Sequence, residues 1–335
     1  MSSGEFKGVW VFSENKDLAF ELLGKGRELA NKLGVELAGL LLGQGVANQA
    51  EEFISYGADK VYVADDPALK SFQPEPYKSV IADLASKYKP EILLIGGTRR
   101  GKELAPRIAT VLETGCSSDC KVLDIDASKR LLLMDRLVYG GNAVSTLVCR
   151  SKPQIATVPP RTFDKPQAAK RKGEVVKVEV KAESPRTQIL ETKAKEVSGV
   201  KIEEASIVVL GGRGMKSKED FKILDELAKI LGGQVGVTRP LAADLEWFPE
   251  WVGLSGKTIK PMLFIGAGAS GAIQLLAGMR DSRVIVAVNK DPEAPIFKAA
   301  DYGIVGDLYE VVPALTAALK QNSCPSLKAT YACFR

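Results

Sequence analysis

Apolar positions along the chain come in two rhythms. Short continuous runs rich in Val, Ile and Leu mark buried strands, and apolar residues recurring every three to four positions mark amphipathic helices. In the first half the spacing predicts strands over 8–12, 35–42, 60–63 and 91–95 and helices over 17–33, 46–56, 77–88 and 101–112. Gly34 and Gly57 stand where helices end, and Pro90 follows the third helix. Glycine adopts the left-handed cap, and proline cannot continue a helix. Strand alternating with helix predicts a mostly parallel sheet covered on both faces. The rhythm then changes. Residues 119–125, 130–138, 143–149 and 154–158 predict strands without long helices between them, expected to add antiparallel edges.

Residues 159–200 break the pattern. Pro159, Pro160, Pro166 and Pro185 recur, charges crowd as in Lys170, Arg171 and Lys172, and only 174–181 alternates like a strand. Most of this stretch is expected to be the crossing between domains. A second series begins near Ala205. It predicts strands over 206–210, 234–237, 261–265, 283–288 and 302–305 and helices over 217–231, 271–277, 295–300 and 308–319. Ser217 is the expected cap of the first of these helices, with Asp220 at its third position. Residues 323–335 fit neither series and are read as a non-native or disordered tail. The expected architecture is α/β in two domains. One covers 1–202, with the crossing over about 159–202; the other, over 203–322, is a doubly wound parallel sheet.

Composition narrows the chemistry. The chain has 335 residues, 45% hydrophobic and 26% charged, which suits two globular domains. Lys plus Arg number 46 and Asp plus Glu 41, so the net charge of +5 is too diffuse to imply nucleic acid. Histidine is absent. That excludes Ser-His-Asp and Cys-His nucleophiles, His-ligated metals and imidazole bases. The five cysteines, Cys116, Cys120, Cys149, Cys324 and Cys333, are too sparse for a disulfide framework, and Cys116 and Cys120 lack a second pair to complete a zinc site. Neither catalytic residues nor metal ligands emerge. The start lacks a signal-peptide pattern, and runs such as 35–42 are too short to span a bilayer. A cytoplasmic protein without membrane insertion is expected.

The chemistry is carried by glycine loops. Gly266, Gly268 and Gly271 spell G-x-G-x-x-G between a strand and a helix, where backbone amides can approach a pyrophosphate. The next strand ends at Asn289, where an NAD site wants a carboxylate. Residues 211–214 read GGRG, again between strand and helix, and Arg213 can pair with a phosphate or stack on a base. Thr238 and Arg239 follow the next strand, and Pro240 is expected to hold Arg239 extended. Residues 253–258 read GLSGKT. Such loops at one sheet edge argue for one long phosphate-bearing ligand. Two other readings stand beside that one: an NAD-dependent oxidoreductase using the Gly266–Gly271 loop, and a non-catalytic nucleotide-binding regulator.

GGRG, GLSGKT, SGAIQLLAGM over 270–279 and NKDPEAPIF over 289–297, in this order, resemble the alpha subunit of electron-transfer flavoprotein. The resemblance is strong over 206–319 and weaker over the first half. It implies a nucleotide-hydrolase-like N-terminal domain and a C-terminal domain holding FAD. The matching positions are Arg213, Thr238, Arg239, Val252, Gly253, Leu254, Ser255, Ser270, Gly271, Ala272, Ile273, Gln274, Leu275, Asn289, Asp307 and Leu308. By the resemblance, Ser270, Gly271 and the following amides hold the pyrophosphate, and Asn289 and Asp307 serve the adenosine half. Arg239 lies over the isoalloxazine, and the Ser255 hydroxyl reaches toward N5. The family usually carries His where this chain has Leu275, so less stabilisation of the anionic one-electron flavin is expected. The resemblance implies an electron carrier working with a beta subunit that holds AMP or a second FAD. Its implied redox partners are an acyl-CoA dehydrogenase, a quinone oxidoreductase or ferredoxin. The wording of 253–258, 118–120 and 139–142 is closer to the anaerobe-type, bifurcating form. Arg99, Arg100 and Lys102 form a basic cluster before a helix, and Trp247, Phe248 and Trp251 an aromatic cluster before Gly253.

Overall fold

A computed structural model describes residues 6–139, 143–192 and 201–321 and divides into two compact units, 1–192 and 193–335. The tail expected over 323–335, residues 140–142 of the 139–142 segment and the end of the expected crossing, 193–200, lie outside the described residues.

Unit 1 runs β1 (Val9–Phe12), α1 (Lys16–Leu33), β2 (Leu37–Gly43), α2 (Ala50–Ser55), β3 (Lys60–Asp65), α3 (Pro74–Tyr88), β4 (Ile92–Gly96), α4 (Arg99–Val111), β5 (Cys116–Ser117), β6 (Cys120–Asp126), β7 (Leu131–Val138), β8 (Ala143–Leu147), β9 (Gln154–Val158) and β10 (Glu174–Lys177). Seven of these strands form a parallel sheet in the order β10-β3-β2-β1-β4-β9-β5. Successive side chains of β1 face opposite ways. Val9 and Val11 pack with Leu22, Leu29 and Phe53 of α1 and α2, while Trp10 and Phe12 pack with Ile81 and Ile108 of α3 and α4. Local chemistry sets the helix limits. Asn15 Oδ1 accepts from the Leu18 N–H at the start of α1, and Gly34, at φ 65°, closes it in the left-handed conformation.

Two expectations need correction. β6, β7 and β8 do not edge the main sheet; they form an antiparallel sheet of their own. β9, expected with them, instead runs parallel between β4 and β5. All five of its residues are buried, as an interior parallel strand requires. The proline-rich stretch expected as a crossing is fastened to unit 1 over much of its length. β10 pairs with β3, Val176, Val178 and Val180 pack on the core, and Lys165 and Glu183 pair with Asp17 and Lys78.

Unit 2 runs β11 (Ile207–Gly211), α5 (Lys222–Leu231), β12 (Gln234–Val237), β13 (Leu263–Ala267), α6 (Ile273–Met279), β14 (Ile285–Asn289), β15 (Tyr302–Val305) and α7 (Leu308–Gln321). Its five parallel strands stand in the order β12-β11-β13-β14-β15, the expected doubly wound arrangement. The helix expected from 217 begins as a 3-10 turn, Glu219–Phe221, before regular α5. Asp220 Oδ2 still accepts from the Ser217 N–H at 3.1 Å, the carboxylate half of a capping box. The stretch expected as a helix over 295–300 is a 3-10 turn, Pro295–Lys298, too short to propagate.

One buried charge joins the two sheets of unit 1. The Glu91 side chain has no exposed surface. Arg130, at the entrance to β7, grips it through Nε at 3.0 Å and Nη2 at 2.5 Å, and Lys152, before β9, reaches it at 2.5 Å. Burial alone would raise its pKa, but the bonds from Arg130 and Lys152 outweigh burial and hold the carboxyl below its usual 4.5. A depressed carboxyl stabilises the fold above its unfolded pKa, and that contribution is lost as the pH falls through the folded value. Glu91→Gln leaves two cations facing an uncharged group. It is expected to cost roughly 3–5 kcal/mol and to flatten the loss of stability below pH 4.5, read by urea unfolding at neutral and acid pH.

Candidate functional site

In unit 2 the chain goes from β11 outward to β12 and then returns to β13 on the other side of β11. Loops leaving β11 and β13 therefore diverge at a topological switch, where open α/β sheets bind ligands. A cleft of about 610 Å³ lies there, and the loops after all five strands contribute to its wall.

Backbone bonds fix these loops to one another. The Gly212 N–H donates to Ala267 O and the Gly214 N–H to Gly268 O, both at 2.9 Å. A Cβ on Gly212 would overlap Gly268 O and Ala269 Cα, so this approach requires glycine. Gly271, at φ 81°, turns the chain into α6, and a Cβ there would overlap Ile296 N. Asn289 Nδ2 donates to Ala269 O at 2.8 Å while Oδ1 accepts from the Asp291 N–H, so part of this side chain is spent on holding the glycine loop. The Gly306 N–H bonds Asn289 O, and the Leu254 N–H bonds Gln274 O. Asp307 Oδ1 accepts from the Tyr309 N–H at 2.9 Å and caps α7.

Fourteen of the sixteen residues singled out in the sequence line the cleft. Gly271 and Ile273 stand outside the lining: Gly271 acts through backbone shape, and Ile273 is exposed. Arg239 is not extended as expected. It is helical, at φ −49° and ψ −45°, because the Leu241 N–H closes a turn onto Thr238 O and this bond overrides the preference before proline. Leu275 is buried among Val252, Phe264 and Ile296 and presents an apolar surface to the cleft.

Sequence reasoning missed Lys216, Lys290 and Tyr309 and left Trp251 outside its site set, yet all four line the cleft. Each adjoins a residue or glycine loop already singled out. The aromatic cluster divides: Phe248 packs on Phe221 with ring centroids 4.7 Å apart, whereas Trp251 is wall. Arg213, Lys216, Arg239 and Lys290 give the wall a positive character, opposed by Asp307. Lys257 does not contribute. It turns to Glu203 and Glu250, and the Glu203 bond raises its pKa. Beside the cleft, the Tyr309 hydroxyl donates to Asp220 and lowers the carboxyl's pKa. Two buried polar atoms of lining residues have no hydrogen-bond partner: Thr238 Oγ1 and Trp251 Nε1. Such atoms are costly to leave unpaired, but both are closed off from the open cleft, and Trp251 Nε1 packs toward Gly256.

Known proteins match this chain throughout its length. The family description "Electron transfer flavoprotein domain" matches residues 9–183, and "Electron transfer flavoprotein FAD-binding domain" matches residues 201–280. The electron transfer flavoprotein subunit alpha of Clostridium acetobutylicum is 46% identical, with 96% of this chain and 99% of that one covered. The chain belongs to the electron transfer flavoprotein alpha-subunit family. A further relative is the lactate dehydrogenase (NAD(+),ferredoxin) subunit LctC of Acetobacterium woodii, 37% identical over 94% of this chain and 77% of that one. Another is the acryloyl-CoA reductase electron transfer subunit beta of Anaerotignum propionicum, 36% identical over 95% and 96%. Membership assigns an electron-transfer role, and the second domain match supports flavin binding in unit 2. No helix among the described residues is long and apolar enough to cross a membrane.

The glycine turn into α6 is the part of this electron transfer flavoprotein cleft least tolerant of change. Gly271→Ala places a side chain in left-handed backbone and against Ile296, and is expected to destabilise unit 2 by more than about 1–2 kcal/mol. Urea unfolding together with flavin retention checks this; unchanged values for both would contradict it.

Proposed function

We propose that unit 2 holds FAD in the switch-point cleft and that the chain, paired with a beta subunit, relays single electrons between a reduced donor and an acceptor. The observation that carries the reading is the cleft itself: about 610 Å³, cationic, and at the carboxyl edge of the sheet. Its size falls within the range of cofactor sites. The donor set fits a dinucleotide. Ser270, Ala272 and the first amides of α6 would hold the pyrophosphate, with Arg213, Lys216 and Lys290 as counter-charges. Asn289 and Asp307 border the end assigned to the adenosine. Arg239, Ser255 and Leu275 would border the flavin ring. Bound FAD would supply the one- and two-electron redox chemistry, while the chain's residues bind it, orient it and set the local field.

The beta subunit is the proposed partner of unit 1. Leu137 and Val144 are exposed as a cross-strand pair on the outer face of the β6–β8 sheet, and Val122, opposite Asp135, is exposed on the same face, a partly apolar surface suited to a second protein. Two relatives whose names join this family to NAD and ferredoxin, or to acryloyl-CoA reduction, support the bifurcating class for this pair. Acyl-CoA dehydrogenases, quinone oxidoreductases and ferredoxin are the redox partners to try, in the cytoplasm. No observation favours the NAD-dependent oxidoreductase, because Asn289 stands where a carboxylate would read the ribose and its amide is engaged by Ala269.

The pair should be co-expressed and its nucleotides counted. Two FAD and no AMP per heterodimer is the expected result. One FAD with one AMP would place it in the housekeeping class, and a colourless pair would sink the reading. Leu275→His introduces a donor into the apolar floor. It is expected to raise the first-electron potential of the bound flavin by roughly 60 mV, the equivalent of one charge-assisted hydrogen bond. Redox titration of wild type against variant checks this.

A further inference from the structure

We infer that Tyr309 is a positioning residue of the cleft, whose hydroxyl fastens the far end of the loop that begins with GGRG to the start of α7 and so fixes where Lys216 stands along the ligand. The inference rests on FAD as the occupant of the cleft and goes beyond that reading by assigning a residue outside its set.

Two segments about ninety residues apart meet at one oxygen. Tyr309 Oη donates to Asp220 Oδ2 at 2.6 Å. It accepts from the Lys216 N–H at 2.7 Å. The same Asp220 oxygen accepts from the Ser217 N–H at 3.1 Å. The Lys216 ammonium lies 4.8 Å from the centroid of the Tyr309 ring, a cation–π contact on the same ring. The ring is aimed by its own backbone, because the Tyr309 N–H is held by Asp307 Oδ1 in the α7 cap. The loop is thus pinned at both ends. Its first half is bonded to the β13 loop through Gly212 and Gly214, and its second half to α7 through Lys216. Arg213 sits inside the first pin, between Gly212 and Gly214, whereas Lys216 is held by the second.

The physical consequence is selective. A loop pinned only through Gly212 and Gly214 keeps its entry into the cleft and the backbone of Arg213 but not the placement of Lys216, whose side chain must be ordered when the ligand arrives. Ordering paid in advance appears as affinity. Removing one oxygen while keeping the ring leaves the packing of α7 intact and releases the Lys216 amide. Asp220 and its bond to Tyr309 are only part-buried, so losing the bond loosens the loop and costs a small share of global stability besides.

Tyr309→Phe should be made in the full chain co-expressed with its beta subunit. The expected result is a five- to tenfold rise, roughly, in the FAD dissociation constant, read by recovery of FAD fluorescence on dilution. Hydrogen exchange at the Lys216 amide should accelerate, with the melting temperature of the FAD-stripped pair falling by no more than about 2–4 °C. Asp220→Asn, which keeps an acceptor oxygen for the hydroxyl, should give a smaller rise. A variant pair that holds FAD as tightly as wild type, or an unchanged Lys216 exchange rate, would overturn the inference while leaving the FAD reading standing. A wild-type pair that takes up no FAD would overturn both.

Discussion

The functional half of this chain depends on a contact between two backbones. Loops leaving β11 and β13 touch at Gly212 and Gly268, closer than any side chain allows. Parallel neighbours at a topological switch must send their chains apart, which opens a crevice. The crevice has a defined shape only if the diverging loops are tied. Here the Gly212 and Gly214 amides tie the β11 loop to the β13 loop, Asn289 ties the β13 loop to β14, and Gly306 ties β15 to β14. The cleft wall is therefore continuous with the sheet, and its side chains project from an anchored frame.

The two units use the same plan to different ends. In unit 1 the switch falls between β1 and β4, and there side chains fill the crevice. Ser13 lies against Gly96, and Thr98 at the head of α4 donates to the Glu14 carboxylate. A carboxylate of the chain itself thus stands at a helix N-terminus, the place where a phosphate binds in related architectures. In unit 2 the equivalent edge is lined by cations and small residues, with no acidic side chain at the α6 turn. Fold and site are separable: a parallel sheet supplies the crevice, and loop composition decides whether it is closed or open.

Most of this was legible where chemistry is local. Gly34 announces a helix end by its left-handed cap, and the G-x-G-x-x-G stretch announces a turn that only glycine makes. The expected set came from the resemblance to the family, whose motifs fall on these loops, which is why most of it lines the cleft. Illegible features were those decided at long range. Nothing within 154–158 says whether that strand pairs with the β6–β8 sheet or enters the main one; burial on both faces decides it. Arg239 follows a turn closed by Leu241 rather than the rule for residues before proline. Tyr309 was passed over because its partners, Lys216 and Asp220, are about ninety residues away.

The cleft divides its labour between floor and rim. Leu275, Val252 and their apolar neighbours form part of a floor of low polarizability, while Arg213, Arg239 and Lys290 stand on the wall. Charge–charge energies scale inversely with the local dielectric, so each cation acts more strongly over an apolar floor than it would in water. A histidine at position 275 would add a donor within that floor and raise the local polarity in the same step. The field of Arg239 would then be screened more, offsetting part of the gain. With Leu275 in that place, the potential of a flavin held here would depend more on the rim, and so on whatever holds the rim in place.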